Sequence, residues 1–387
     1  MVDKERGGCR ILTAFTAREE LVVIGSSKRH KTVGNNRAKS GKTQSTKAAR
    51  SKALGRTTGP RRKPIVIDVH AHIIVPEVLS FTYEHSMFAK AVAQKSHDGR
   101  PHGIPQPLMQ RMIDRSLRLK DMDEAGVDIE VISPSILQQC TYWAEPDEAL
   151  KMERLCNEHV AEAVATHPDR LVGLGSVPMQ DVALACAELE RCIRELGLKG
   201  IIISSHVNGV EIGNVKFHPF WAKAEDLGAV IFVHPAGNTD ERMRRHRLLI
   251  TLGQPLEEAF AQSSLVYDGV IDAFPKLKIL MAHGGGFLPF YTGRHDNDWR
   301  QGHSAPNMKN DFSSYLPRFY YDTVLFNPDM LEFLVSKVSA SHVMLASDYP
   351  FAEKRPVEFV RSAKKLSRKD QEGILGANAA KLFGLAV

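Results

Sequence analysis

From Pro64 onward, short runs of β-branched and apolar residues alternate with longer stretches of helical period. The runs are 64–70 (PIVIDVH), 128–133 (DIEVIS), 170–177 (RLVGLGSV), 199–205 (KGIIISS), 229–234 (AVIFVH), 277–283 (LKILMAH), 318–323 (RFYYDT) and 342–347 (HVMLAS). Nearly continuous apolar strands imply burial on both faces, as in a parallel sheet wrapped by helices. Helical period dominates 147–167, 183–196, 255–274 and 328–338. Repeated strand-then-helix units predict an α/β fold, and eight of them fit a (β/α)8 TIM-like barrel better than an open doubly wound sheet. The stretch 79–116 is too long for an ordinary βα loop and reads as a functional insertion over the barrel mouth.

Charge divides the chain in two. Residues 1–63 hold 17 Lys and Arg against 4 Asp and Glu, whereas 64–387 hold 34 against 41. Large apolar residues are nearly absent from 26–63, so that segment buries too little surface to offset its ordering entropy. We therefore expect a disordered basic extension over 1–63 and a single barrel over 64–387. The five cysteines, Cys9, Cys140, Cys156, Cys186 and Cys192, form no CxxC pair and read as reduced thiols of a cytoplasmic protein. Neither a secretory signal nor a membrane-length apolar run is expected.

Candidate chemistry collects at the strand ends. His70 and His72 flank Ala71 at the end of the first run, and residues two apart on a strand point the same way. Alone, two such histidines could be satisfied in a turn. His234 ends the fifth run, His283 the sixth, and Asp348 follows the eighth. Active sites of (β/α)8 barrels are built from strand C-termini, and imidazoles joined by a carboxylate suit Zn2+ with room for a water. The glycines at 284–286 allow either close substrate approach or tight packing of the strand-to-helix turn.

The HAH at 70–72, VHP at 233–235, HGGG at 283–286 and SDYPF at 347–351 resemble the amidohydrolase superfamily. Within it, the chain is most similar to the branch typified by 2-amino-3-carboxymuconate-6-semialdehyde decarboxylase. The similarity extends to DMDEAGVD (121–128), HGGGFLPFYTGRHDNDWR (283–300) and RFYYDTVLFNP (318–328). This resemblance implies one zinc per chain held by His70, His72, His234 and Asp348. It implies that His283 is a catalytic residue that does not ligate the zinc directly but orients and deprotonates its bound water. It implies further that Arg294 binds a substrate carboxylate across a subunit boundary, and hence a homodimer. Arg100 is the nearest candidate for the substrate-gripping arginine that the family carries after its first strand, and placing it there requires a gap. The segment after VHP, AGNTDERMRRHRLLI (236–250), also departs from the family's aromatic-rich pattern and puts the semialdehyde itself in doubt as substrate.

The expected function is non-oxidative decarboxylation of a small unsaturated or aromatic carboxylic acid. A mononuclear zinc hydrolase or hydratase is the alternative; a two-metal hydrolase is disfavoured because Lys199 starts its strand rather than ending it. The basic extension would attract phosphate, but it lacks interleaved aromatics and no nucleic-acid-reading module follows it, so no nucleic-acid partner is expected.

Overall fold

A computed structural model describes residues 64–386 except 83–84, 86–103, 236, 238–239, 245, 304 and 306. The extension expected over 1–63 and the candidate Arg100 lie outside the described residues.

Eight parallel strands follow one another in chain order around a single sheet. They are β1 (Ile67–Ile73), β2 (Ile129–Pro134), β3 (Leu171–Gly175), β4 (Gly200–Ser204), β5 (Val230–His234), β6 (Lys278–Met281), β7 (Tyr320–Asp322) and β8 (Val343–Met344). The ring closes between the first and last strands: Val69 N donates to Leu345 O at 3.0 Å, and His72 N to Tyr349 O at 2.9 Å. The (β/α)8 architecture expected from the alternating pattern is the one observed.

Helices follow the strands on the outside. Those that matter here are, in order, α1 (Arg115–Ala125), α2 (Pro146–Thr166), α3 (Val182–Arg194), α4 (His218–Leu227), α5 (Gln254–Tyr267), α6 (Leu288–Arg300), α7 (Pro328–Val338) and α8 (Asn378–Phe383). Their starts follow local chemistry. Asp114 caps α1 through Ser116 N and Leu117 N, Asp181 caps α3 through Leu184 N, and prolines open α2 and α7. The helical period at 255–274 is broken in the structure: α5 ends at Tyr267, and Gly269, at φ 79°, begins a separate short helix, Val270–Ala273. An antiparallel hairpin, His206–Val207 with Val210–Glu211, follows β4 and has no counterpart among the elements expected from the sequence.

Side chains of alternate parity separate two cores. Val230, Phe232, Leu280 and Met344 cluster inside the ring, while Ile231, Val233, Ile279 and Val343 pack outward against helix residues such as Trp221 and Leu265. On β1 the parity changes. Ile67 and Val69 belong to the inner cluster, Ala71 and Ile73 to the outer one, and the register with β2 shifts between Asp68 and Ala71. A bulge absorbs one residue and re-aims the side chains beyond it. His70 and His72 therefore turn into the ring directly above Ile67 and Val69.

Candidate metal centre

The inner positions change character at the C-terminal end of the barrel. Above the apolar layers, β1 presents His70 and His72, β5 presents His234, β7 presents Asp322, and the turns after β6 and β8 present His283 and Asp348. The sixth strand ends earlier than the sequence suggested. His283 sits past it in a tight turn at φ 46°, and Asp348 sits at φ 54°. Non-glycine residues in the left-handed region cost energy and concentrate at functional sites.

One ligand atom from each of His70, His234, His283 and Asp348 lies within 4.8 Å of all the others, a site for a divalent metal ion. His72 stands against the same cluster. Its Nε2 is 3.1 Å from His70 Nε2 and 3.2 Å from Asp348 Oδ1. Thus the structure brings together all five residues that the strand-end pattern singled out.

The hydrogen positions test whether a cation fits. His70 Nδ1 lies 2.7 Å from Asp322 Oδ2, and a carboxylate there accepts the ring hydrogen. Asp322 is itself held by Gly284 N and Val324 N, both donating to Oδ1 at 3.1 Å. His70 Nε2 is then a bare lone pair. It nevertheless faces Asp348 Oδ1, another acceptor, at 3.3 Å. Two buried acceptors at that separation repel unless a positive charge lies between them, which a proton on Nε2 or a divalent cation supplies. His234 Nδ1 lies 3.2 Å from both Pro235 O and the Gln139 amide nitrogen, and its ring stands against those of His70 and His72. Behind His72, the buried Arg118 of α1 donates to His72 O and pairs with Glu130 of β2 at 2.7 Å, fixing the backbone that carries the ring.

Electrostatics divides the histidines. Burial, reinforced by the neighbouring imidazoles, holds His234 well below the ordinary histidine range; burial likewise lowers His72, against the opposing hydrogen bond to Asp348. Both are neutral at pH 7, as ligation requires. Burial would raise the Asp348 carboxyl, but His70 and hydrogen bonds from His283 and His72 hold it well below the carboxylate range. His283 goes the other way: burial would lower it, but Glu258 beside Nδ1, with Asp348 and Asp322, raises it well above. Burial pushes Glu258 itself up to about 7.

Other expected residues fall elsewhere. Arg294 is exposed on α6, and no ion pair involves it among the described residues. The acids near it are engaged otherwise: Asp296 accepts from Ser313 N at 2.8 Å, and Asp298 lies 3.5 Å from His303. The glycine turn is packed tightly. A Cβ on Gly286 would stand 2.1 Å from Pro255 O, and one on Gly285 2.8 Å from the Tyr321 ring. Sequence reasoning missed Asp322 and Glu258. Asp322 ended a run read only as a strand, and an acid at the end of an inward-facing row was its available signal. Glu258 lies among residues of α5 that pack inward, such as Ala261 and Leu265, and a lone acid on such a face was its signal.

Comparison with known proteins points the same way. The Amidohydrolase family profile matches residues 67–385. The 2-amino-3-carboxymuconate-6-semialdehyde decarboxylase of Dictyostelium discoideum is 35% identical over 277 residues, covering 70% of this chain and 77% of that protein. The crystal structure of 5-carboxyvanillate decarboxylase from Sphingomonas paucimobilis superposes with a TM-score of 0.75 at 26% identity, covering 84% of this chain and all of that one (100%). A dihydroxybenzoic acid decarboxylase from Polaromonas sp. JS666, solved with bound manganese and 2-nitroresorcinol, superposes with a TM-score of 0.71 at 25% identity, covering 84% of this chain and 98% of that one.

Proposed function

The chain belongs to the amidohydrolase family, and on that premise we propose that this metal-dependent decarboxylase holds one zinc ion per chain and removes CO2, without oxidation, from a small unsaturated or aromatic carboxylic acid. The observation that carries the reading is the convergence of His70 Nε2, His72 Nε2 and Asp348 Oδ1 within 3.1–3.3 Å, at the end of the barrel where strands deliver catalytic groups. The Dictyostelium, Sphingomonas and Polaromonas relatives are all decarboxylases, which favours loss of CO2 over hydrolysis or hydration.

His70, His72, His234 and Asp348 would hold the ion, and His283 would stand beside it. The two Asp348 oxygens support this division. Oδ1 faces His70 and His72, whereas His283 Nε2 meets Oδ2 from the other side, at 3.9 Å. Three imidazole nitrogens with one carboxylate oxygen suit zinc better than manganese, which favours oxygen donors. A bound divalent ion supplies a Lewis acid for a substrate oxygen and draws electron density from the carbon that loses CO2.

The protein's own groups do the rest. His283 Nε2 delivers a proton to the substrate carbon; the C–C bond to the carboxylate breaks, its electron pair returns to the substrate's conjugated system, CO2 departs, and solvent reprotonates the imidazole. Phe351, partly exposed with its ring centroid 6.2 Å from that of His72, offers a flat apolar wall that suits a conjugated acid. Arg294, with no ion-pair partner among the described residues, would bind a carboxylate of substrate seated in a neighbouring subunit. Exposed Phe290 and Tyr291 on the same helix would supply apolar contact for a homodimer.

The test is metal analysis of the purified protein, then incubation with 2,6-dihydroxybenzoate, 5-carboxyvanillate and 2-amino-3-carboxymuconate-6-semialdehyde, with CO2 measured. About one zinc per chain and metal-dependent CO2 release from at least one acid are expected. Release from none, with turnover of an ester or lactone panel instead, would overturn the decarboxylase reading.

A further inference from the structure

Glu258 is fully buried on α5, behind the metal-binding end of the barrel. Its Oε1 meets His283 Nδ1, and its Oε2 has no hydrogen-bond partner among the described residues. Such a carboxylate is a poor device for stability alone. Burying it costs desolvation, and buried ionic pairs are often replaceable by apolar residues with no loss of stability. An acid kept there at that cost has work to do at its one partner.

The surroundings leave it little choice of partner. The turn that carries His283 is pressed onto the start of α5, where Gly286 leaves no room for a Cβ against Pro255 O. Asp322 Oδ1 holds Gly284 N at 3.1 Å from the opposite side. The turn and the first helical turn of α5 are thus one locked unit, and Glu258 lies three residues beyond Pro255 within it. His283 itself has a left-handed backbone (φ 46°), so strand geometry does not aim its ring.

We infer that Glu258 is the positioning residue for His283: it accepts the Nδ1 hydrogen, fixes the ring, and leaves Nε2 as the nitrogen that faces the substrate carbon. The pairing repeats on His283 what Asp322 does for His70: a buried carboxylate behind Nδ1 fixes the ring and turns Nε2 toward the site, where it stands 3.9 Å from Asp348 Oδ2.

The kinetic arm of the test rests on the decarboxylase reading; the spectroscopic arm does not. E258Q keeps volume and an acceptor oxygen but loses the charge, and E258L loses both. With whichever of the three acids the wild type decarboxylates, kcat should fall about 10-fold in E258Q and about 100-fold or more in E258L. KM, zinc content and the thermal midpoint should stay near wild type in both. Nitrogen-15 spectra of the imidazoles, with the His283 signals identified by their loss in H283A, should show a hydrogen on Nδ1 in the wild type and in E258Q. In E258L that hydrogen should be lost or exchange between the two nitrogens. A kcat that falls only in step with the thermal midpoint would overturn the inference, as would His283 Nδ1 without hydrogen in the wild type or an E258L spectrum unchanged from wild type. Should the wild type decarboxylate none of the acids, the proposed function fails, and the spectra alone decide the role of Glu258.

Discussion

His70 Nδ1 and Asp322 Oδ2 lie 2.7 Å apart, both fully buried, joining the first and seventh strands of the barrel. The carboxylate orients the ring and leaves Nε2 bare toward His72 and Asp348. Asp322→Asn should disturb this directly. The amide oxygen can still accept from Gly284 N and Val324 N, but the amide nitrogen then meets a ring hydrogen, donor against donor. Zinc affinity should fall about 10–100-fold with the fold intact. Competition with a metal-sensitive dye, beside a far-ultraviolet spectrum, checks both halves; unchanged affinity would remove Asp322 from the site.

His72 and His283 should separate as holder and proton carrier. His72→Ala should lose most bound zinc and activity together. His283→Ala should retain most zinc and lose about 10²–10⁴-fold in kcat with KM little changed. Metal analysis of the two purified variants decides. The opposite pattern, with zinc lost from His283→Ala and retained in His72→Ala, would exchange their roles.

Asp68 carries a pH prediction. Burial, with the negative charge of Glu130 on the adjacent strand, pushes its carboxyl up to about 8. Its ordinary value is 3.8, so between those limits the folded state binds the extra proton. Stability from this group is full at low pH and is lost as pH rises toward 8, by at most about 1.4 kcal/mol per pH unit. Asp68→Asn keeps an oxygen for His70 N and Ser347 N and cannot ionise. Its stability relative to the wild type, read from denaturant melts of metal-free protein, should therefore rise between about pH 5 and 8. A difference that is flat with pH would show that Asp68 ionises normally in the fold.

Arg294 tests the shared site. Arg294→Ala should lower kcat/KM about 10–100-fold, mostly through KM, because a carboxylate clamp already acts in the bound ground state. Mixing inactive His283→Ala with Arg294→Ala should restore part of the activity, since some mixed dimers would hold one intact site. Subunit exchange is verified by mass. Exchange without recovered activity would confine Arg294 to its own subunit or to structure.

Much of the centre is written in local sequence. Alternating apolar runs and helical stretches specify a wrapped parallel sheet, because a strand buried on both faces must be apolar throughout. His70, His72, His234, His283 and Asp348 announce themselves by standing at the ends of those runs, and at that end the structure brings them together. Boundaries were less legible. The sixth strand stops at Met281, and α5 stops at Tyr267, where turn geometry and Gly269 override the continuing apolar pattern.

Only the folded chain decides how these groups face one another. The bulge between Asp68 and Ala71 turns His70 and His72 inward although Ile67 and Val69 already point inward, and strict alternation would have sent one pair out. Asp322 reaches His70 across 252 positions, and Glu258 reaches His283 across 25, through contacts made when neighbouring strands and their covering helix close on each other. Periodicity reports which side of its own element a residue occupies. Hydrogen positions, and so the difference between a nitrogen that binds metal and one that carries a proton, depend on the partner across space, which no local pattern contains.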